Sequence, residues 1–244
     1  MLNRGRENCG AFESAAGIQV KSRERVRDHG EVFTAEREVK AMCDLVGETG
    51  SNPTAGTVLE PACGDGNFLV EILNRKLDRL DALGYRRGGR VGKWKWQVAD
   101  LYAFRIATVL TLLYGIDIMP DNIEACRARL LGIALRRFDA VVKERDAASR
   151  RLLENAAKTI LGINIVCGDA LTFRRADDEP IVFVKWRAAE NGDRYGFGIT
   201  PYYFEKMVDG EGKEQQLFDA LPKLDRSPQI GFREIERVKE YVQS

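Results

Sequence analysis

The sequence predicts an α/β protein built on parallel strands. Short apolar runs at residues 57–60, 114–118, 163–169 and 180–184 alternate with longer stretches whose apolar residues recur at helical spacing. Alternation of this kind is typical of a parallel sheet flanked by helices. The first three runs each carry an acidic residue at or near the carboxyl end. A parallel sheet gathers such ends at one edge, where ligands bind.

The remaining elements follow from local pattern. Apolar periodicity predicts helices at residues 34–46, 68–80, 96–113, 120–161 and 232–242. Thr34 is a suitable N-cap for the first of them. Residues 199–207 predict a strand and a turn. Residues 1–28 are rich in charge, Gly and Ser without a sustained period, and they predict a mobile N-terminal arm.

Length and composition favour a single domain over residues 29–244. Residues 84–113 would form an insertion loop and helix, and residues 187–244 would complete the fold. The five cysteines include no Cys-x-x-Cys pair, and there is one histidine, so we expect no metal site and a reducing, cytoplasmic location. No apolar run approaches the roughly 20 residues of a membrane span. The net charge of +1 leaves nucleic-acid binding to a local surface.

The turn at residues 60–68, Glu-Pro-Ala-Cys-Gly-Asp-Gly-Asn-Phe, joins a strand to a helix. Glycines let the backbone approach a ligand, and free N–H groups at the helix start face it. Asp117 is placed to accept hydrogen bonds from ribose hydroxyls, and Asp169 to accept a hydrogen bond from an adenine amino group. The alternative is purely structural: Gly64 to Gly66 form an ordinary turn, Asp117 caps the next helix and Asp169 caps a turn. A dehydrogenase is disfavoured, because its motif requires a third glycine where Leu69 stands and an acid about 20 residues further on.

Residues 59–69 resemble the S-adenosylmethionine motif of amino-group DNA methyltransferases, notably the adenine-N6 type found as modification subunits of restriction systems. Residues 30–34 are similar to the segment that this family places upstream, where a Phe-Thr pair touches the cofactor; Ala35 replaces the usual Pro. Residues 114–118 and 167–171 match the next two motifs in order.

The resemblance implies a Rossmann-like methyltransferase fold, a mostly parallel sheet, S-adenosyl-L-methionine as cofactor and methyl transfer to the N6 amine of adenine in DNA. It implies cofactor contacts by Phe33, Thr34, Glu60, Pro61, Ala62, Cys63, Gly64, Gly66, Asn67, Phe68, Asp117, Ile118, Asp169 and Ala170. We expect Cys63 to pack within the turn rather than to act as a nucleophile.

The sequence departs from the family after the fourth strand. The family carries Asn/Asp-Pro-Pro-Tyr/Phe there. In that motif the Asn side chain and a Pro carbonyl accept hydrogen bonds from the target amine, and the aromatic ring stacks on the flipped base. This chain has Val-Lys-Trp-Arg at residues 184–187. Lys185 and Trp186 are therefore the candidate acceptor-pocket residues, although a charged Lys cannot accept the amine's hydrogens and Trp186 could simply cover the core. Thr-Pro-Tyr-Tyr at residues 200–203 resembles the missing motif superficially, but it lies some 20 residues further along the chain.

This departure leaves alternatives open. The chain could be a catalytically deficient S-adenosylmethionine-binding subunit that acts in a complex, or a methyltransferase for an RNA or protein acceptor. The residues that follow Trp186 leave little room for a target-recognition domain, so sequence choice would come from a specificity subunit or another restriction-modification subunit.

A basic and aromatic loop offers a candidate DNA surface. Cations neutralise phosphates and aromatic rings stack on unpaired bases, and residues 85–96 carry both without an acid. The candidate nucleic-acid residues are Arg86, Arg87, Arg90, Lys93, Trp94 and Lys95. The alternative is a solvated loop whose tryptophans pack on the neighbouring helix.

Overall fold

The computed structural model of the protein describes residues 21–29, 31–46, 52–84, 95–142, 146–191, 194–208 and 228–242. The α-helices within them are α1 (Arg23–His29), α2 (Glu36–Val46), α3 (Asn67–Gly84), α4 (Lys95–Leu110), α5 (Pro120–Val141), α6 (Ala147–Asn164), α7 (Phe204–Val208) and α8 (Lys239–Val242). The strands are β1 (Val58–Glu60), β2 (Leu113–Asp117), β3 (Ile165–Cys167), β4 (Val182–Asn191), β5 (Arg194–Tyr203) and β6 (Gln229–Gly231).

Strands β1, β2 and β3 form a parallel sheet in that order. Its register pairs Glu60 with Gly115 and Asp117 with Cys167, so the strands end side by side at what we call the carboxyl edge. The opposite, amino edge begins at Leu113 in the central strand. The prediction of an α/β protein with parallel strands is confirmed, and this small sheet with its helices is compatible with a Rossmann-like fold.

The two faces of this sheet are covered by different layers. Leu113 and Ile165 pack with helices α3 to α6 in the larger core cluster. Tyr114 and Ile116 point the other way, because successive side chains of a strand alternate between faces, and they pack against Phe183. Strand order follows chain order, so right-handed crossovers place the crossover helices on one face and leave the other to be covered differently.

An antiparallel sheet of β4, β5 and β6 follows, and its Phe183 and Tyr202 supply that second cover, whereas Val184 and Phe197 belong to the larger core with the helices. The expectation that residues 180–184 extend the parallel sheet is therefore wrong, as is the expectation of a mostly parallel sheet. A parallel pairing needs a crossover of a dozen or more residues, usually helical. Residues 168–181, all described, form only turns and isolated bridges. The predicted strand and turn at 199–207 correspond to the end of β5 and to α7.

The long helix predicted at residues 120–161 is divided into α5 and α6. Asp146 begins the second helix, since its side chain accepts the N–H groups of Ala148 and Ser149 at 3.1 and 3.0 Å. Such a side-chain cap satisfies N–H groups that have no partner within the helix. Helix α5 ends at Val141 and α6 begins at Ala147, two boundaries that apolar periodicity did not reveal.

Two helix ends differ from expectation. Thr34 is not the N-cap of α2, because the carbonyl of Ala35, one residue later, accepts the N–H of Val39 at 3.0 Å. The closing helix predicted at 232–242 is a 3₁₀ helix over Phe232–Val238 that continues into the single turn of α8. Its apolar side chains nevertheless face the core as predicted.

Helix α4, which we expected within an insertion at 84–113, is part of the main core. Phe104, Ile106 and Leu110 are fully buried, and α4 packs along α6. None of the helices among the described residues is both long and apolar enough to cross a membrane.

The end of the expected mobile arm is tied to the domain. Residues 1–20 lie outside the described residues, but α1 is held at the start of α5. Arg25 donates to both carboxylate oxygens of Asp121 at 2.7 and 3.1 Å, and Lys21 donates to the same group at 2.9 Å. Arg25 also pairs with Glu31 at 2.6 Å. The bonds from Arg25 and Lys21 hold the pKa of Asp121 well below its usual range.

A buried tyrosine connects the two sheets. The Tyr114 hydroxyl donates to the Val184 carbonyl at 2.7 Å, and neither residue is accessible to water. Because the only proton of the Tyr114 hydroxyl is used in this bond, the Tyr114 oxygen accepts the hydrogen bond that Tyr202 donates. Burial raises the pKa of both phenols, so they remain neutral hydrogen-bonding groups.

We predict that Tyr114→Phe lowers the free energy of unfolding by about 1–3 kcal/mol, because it leaves the buried Val184 carbonyl without a partner. Urea denaturation followed by circular dichroism measures the change. Tyr203→Phe is the matched control, since Tyr203 is 46% exposed and loses no buried bond. Equal stability of the two variants would contradict a structural role for this hydroxyl.

Candidate functional site

The turn between β1 and α3 adopts a backbone that only glycine accommodates easily. Gly64 and Gly66 have φ angles of +52° and +93°. The turn is anchored where Cys63 N–H donates to Ile116 of β2 at 2.9 Å and Gly66 N–H donates to Cys63 at 2.8 Å. The predicted turn is therefore present at the carboxyl edge, and helix α3 begins at the residue that follows it.

Asp117 holds this turn in place from the end of β2. One carboxylate oxygen, Oδ2, accepts the N–H of Gly64 at 2.9 Å. The other, Oδ1, accepts the N–H of Met119 at 2.8 Å and the side-chain amide of Asn122 at 3.1 Å. One side chain thus fixes the glycine turn relative to the start of α5.

The upstream segment, residues 31–34, meets the glycine turn. A Cβ placed on Gly64 would lie 3.1 Å from the Phe33 ring, so the ring rests directly on this glycine. The side-chain amide of Asn67, at the start of α3, donates to the Thr34 carbonyl at 3.2 Å. Residues separated by more than 30 positions in the chain therefore form one surface.

Glu60 contributes a partly buried carboxylate beside the turn. Burial raises the pKa of Glu60, although a hydrogen bond from the Ala62 N–H at 3.3 Å partly offsets the effect. A desolvated carboxylate of this kind is stabilised by a nearby cation or hydrogen-bond donor. Displaced pKa values of this origin are frequent at functional sites.

Asp169 and its neighbours form the other side of the carboxyl edge. Gly168 N–H donates to the Asp117 carbonyl at 3.0 Å, which sets the third strand end beside the second. Asp169 accepts the N–H of Leu171 at 2.8 Å. Ile118 and Leu171 are 54% and 89% exposed, respectively. Exposed apolar side chains among convergent polar groups are a feature of ligand sites.

Two contacts that sequence reasoning missed brace the turn from α5. Arg129 donates to the Asp65 carbonyl and pairs with its carboxylate, both at 2.8 Å. The Cys126 thiol lies against Gly66 and forms a hydrogen bond with Cys63. That bond and burial together raise the pKa of Cys63, so its thiol is protonated and packs as expected.

Asn122 is a further site residue that sequence reasoning missed. Its side chain is 1% exposed, and besides Asp117 it contacts Glu31 and Lys21. The signal available in the sequence was its position five residues after the strand-end acid, in the first turn of α5.

Lys185 and Trp186 are not brought to the carboxyl edge. The Trp186 indole N–H donates at 2.9 Å to Asn164, the last residue of α6 before β3 begins. Its ring also packs edge-on against Phe197 at 5.6 Å. Because β4 runs away from the carboxyl edge, Lys185 and Trp186 lie at the amino edge, and the core-covering interpretation of Trp186 describes its contacts.

Only the end of the Thr-Pro-Tyr-Tyr run reaches the carboxyl edge, because Thr200 pairs with Lys185 whereas Tyr203 pairs with Val182 at the start of β4. Phe204 N–H, just after this run, donates to the Ile181 carbonyl at 2.9 Å, and Ile181 lies against Gly168. Tyr203 is 46% exposed, with the Lys206 ammonium 5.3 Å from its ring centre.

Most of the predicted nucleic-acid loop lies outside the residues that the structure describes. Arg86, Arg87, Arg90, Lys93 and Trp94 lie outside the described residues. Lys95 is the first residue of α4, and its side chain is likewise not described. The proposal that this loop contacts DNA therefore stays a prediction from sequence.

No protein-family model, curated protein or solved structure matches the chain. Within the described ranges, no group of three or more His, Cys, Asp or Glu side chains is arranged to hold a metal ion. The interpretation of the site accordingly rests on its geometry and on the resemblance of its sequence motifs.

We predict that Gly66→Ala lowers the free energy of unfolding by about 1–3 kcal/mol, because it adds overpacking to a strained backbone. The new methyl would lie 2.6 Å from the Cys126 sulfur at a φ of +93°. Gly162→Ala, in helix α6 with nothing within 4 Å of the new methyl, is the matched control and should stabilise slightly. Thermal unfolding of both variants gives the comparison, and a neutral Gly66→Ala would contradict the turn's geometry.

Proposed function

We propose that the chain has a Rossmann-like methyltransferase fold and binds S-adenosylmethionine at its carboxyl edge. The observation that carries the proposal is the contact of Phe33 and Thr34 with the glycine turn, at Gly64 and Asn67. The sequence resemblance requires those two distant motifs to meet at the cofactor. A purely structural turn has no need of the upstream segment.

The chain's own residues suit this cofactor's three parts. Asp117 has acceptor capacity for a ribose hydroxyl, and Asp169 is positioned at the neighbouring strand end for an adenine amine. The exposed Ile118 side chain, next to Asp117 in the chain, offers an apolar surface to the adenine ring. Glu60 provides negative charge for a cationic ligand, whose presence would offset the cost of its burial.

The favoured reaction is methyl transfer to the N6 amine of adenine in DNA. The cofactor, when bound, supplies a methyl group on a positively charged sulfur that an amine attacks directly. The protein's task is therefore to orient the amine and to exclude water, and no nucleophilic side chain is required. The protonated, buried Cys63 is consistent with such a reaction.

We propose the end of β5, rather than Lys185 and Trp186, as the acceptor side of the site. Tyr203 offers an exposed ring for stacking on a base, and Lys206 beside it offers a cation for a phosphate. The segment adjoins Gly168 and hence the strand end that carries Asp169. This placement supports Tyr203, the last residue of the Thr-Pro-Tyr-Tyr run, as the counterpart of the aromatic residue in the missing motif.

A second candidate function is a cofactor-binding subunit that does not transfer methyl groups by itself. It is favoured by the position of Trp186, which is bound to Asn164 at the far edge. Activity would then require a partner, such as a specificity subunit of a restriction-modification system. An RNA or protein acceptor is a further alternative that the transfer experiment below distinguishes.

We predict micromolar binding of S-adenosylmethionine or S-adenosylhomocysteine, about −8 kcal/mol, by isothermal titration calorimetry. Asp117→Ala should weaken binding by roughly 1.5–3 kcal/mol, the contribution of hydrogen bonds to a charged group. Asp139→Ala, which removes an exposed carboxylate on the outer part of α5, is the control and should bind normally. Failure of the wild-type chain to bind at millimolar cofactor would overturn the proposal.

Methyl transfer tests the acceptor side. With radiolabelled cofactor and a panel of DNA, RNA and protein acceptors, we expect incorporation into the adenine amine of DNA. Tyr203→Leu should lower kcat/KM roughly 5- to 150-fold, since a stacked base contributes about 1–3 kcal/mol. Tyr241→Leu removes a comparably exposed ring from α8 and should have no effect. Cofactor binding without transfer to any acceptor would favour the non-catalytic subunit.

A further inference from the structure

Asn122 sits at the centre of a buried polar network beside the candidate cofactor site. Its side-chain amide nitrogen, Nδ2, donates to Asp117 Oδ1 at 3.1 Å and to Glu31 Oε1 at 2.7 Å. Both acceptors are carboxylates, from the end of β2 and from the segment that precedes α2. A side chain that is 1% exposed has no water available as a substitute partner.

The opposite side of the same amide faces two cations. Asn122 Oδ1 accepts the Lys21 ammonium at 2.5 Å and the Arg25 guanidinium at 3.4 Å. A rotated amide would set its N–H groups against both cations and its oxygen against both carboxylates. The surrounding charges therefore allow one orientation, the one that donates to Asp117.

This orientation bears on the ligand-binding capacity of Asp117. An ionised carboxylate accepts about four hydrogen bonds. Asp117 uses two on Oδ1, from Met119 and Asn122, and one on Oδ2, from Gly64. The second lone pair of Oδ2 remains for a ligand hydroxyl, and the carboxylate is fixed in advance of binding. Such preorganisation lowers the entropic cost of association.

We infer that Asn122 is a positioning residue that aims Asp117 at one ribose hydroxyl of the cofactor. Lys21, Arg25 and Glu31 hold Asn122 in its donating orientation, which makes the segment around α1 a functional part of the site. This inference rests on the proposed function. It assigns a role to residues outside the motifs on which that function was proposed.

The test compares three variants by calorimetry with S-adenosylhomocysteine. Asn122→Ala should weaken binding about 10-fold, the equivalent of one hydrogen bond to a charged group. Asn164→Ala is the matched control, because Asn164 is equally buried but lies at the amino edge, bonded to Trp186 and Thr111. It should lose stability without a change in affinity.

Asn122→Asp gives a readout that lost stability alone would not produce. The new carboxyl would face Glu31 and Asp117 on one side and Lys21 and Arg25 on the other, with Asp121 adjacent in α5. Ionised, it cannot donate to Asp117; protonated, it can. The variant keeps an acceptor for Lys21 and Arg25 and loses only the donation to Asp117, so at pH 8, where a carboxyl that faces two cations is ionised, its affinity should fall about 10-fold, as in Asn122→Ala.

Hydrogen exchange of the free protein supplies a measurement without ligand. Asn122→Ala should speed exchange of the Gly64 and Met119 amides about 10-fold, since both depend on Asp117. Unchanged exchange and unchanged affinity in the Asn122 variants, with wild-type binding intact, would overturn this role alone. A wild-type chain that does not bind the cofactor would overturn the proposed function and this role with it.

Discussion

The carboxylate of Asp117 is the interaction on which the arrangement of the carboxyl edge depends. It joins the glycine turn, the start of α5 and, through Asn122, the segment around α1. The Gly64 bond spans 53 residues of the chain, whereas Met119 and Asn122 lie only two and five residues after Asp117, so this carboxylate joins a distant turn to its own local helix start. The turn can hold its left-handed glycines because Asp117 receives the Gly64 N–H that this backbone directs outward. The carboxylate of Asp117 thus holds the glycine turn, the start of α5 and the segment around α1 in one surface.

The central strand imposes the second constraint, because its two faces need different covers. Gly115 illustrates the requirement on the helical face: a Cβ there would come within 3.0 Å of both Cys63 and Leu69. Only a residue without a side chain lets the turn and α3 lie this close to β2. On the other face, Tyr114 and Ile116 project toward β4 and β5. Phe183 and Tyr202 therefore cover this face, while Val184 on the same hairpin packs with the helices in the larger core.

The parts of the fold that the sequence predicts are those encoded by local pattern. The three parallel strands, the glycine turn and the acidic strand ends are each visible within a short window, and the structure has them. The direction of β4 is not encoded in this way, because the same apolar run is compatible with a parallel strand and with an antiparallel strand. The dipeptide Gly192-Asp193 favours a hairpin turn and could have predicted the end of β4 from the sequence, but the interpretation from motifs did not use it. Asn122 is hidden for another reason: its partners Lys21 and Glu31 lie 101 and 91 residues away.

The direction of β4 also decides which aromatic residue reaches the proposed acceptor side of the site. A parallel fourth strand would add beside β1 or β3, because both sides of β2 are already paired, and the residues after Val184 would then emerge at the carboxyl edge. In the antiparallel hairpin they descend to Asn164 and the amino edge, and the return strand carries Tyr203 to the carboxyl edge instead. The loop after β3 is shaped to meet it: Phe173 adopts a left-handed φ of +61° and packs edge-on against Phe204 at 5.3 Å. Strain at a bulky residue persists only where its surroundings impose it. The two halves of the site are thus held by different forces, hydrogen bonds and charge around Asp117 and aromatic packing beneath Tyr203.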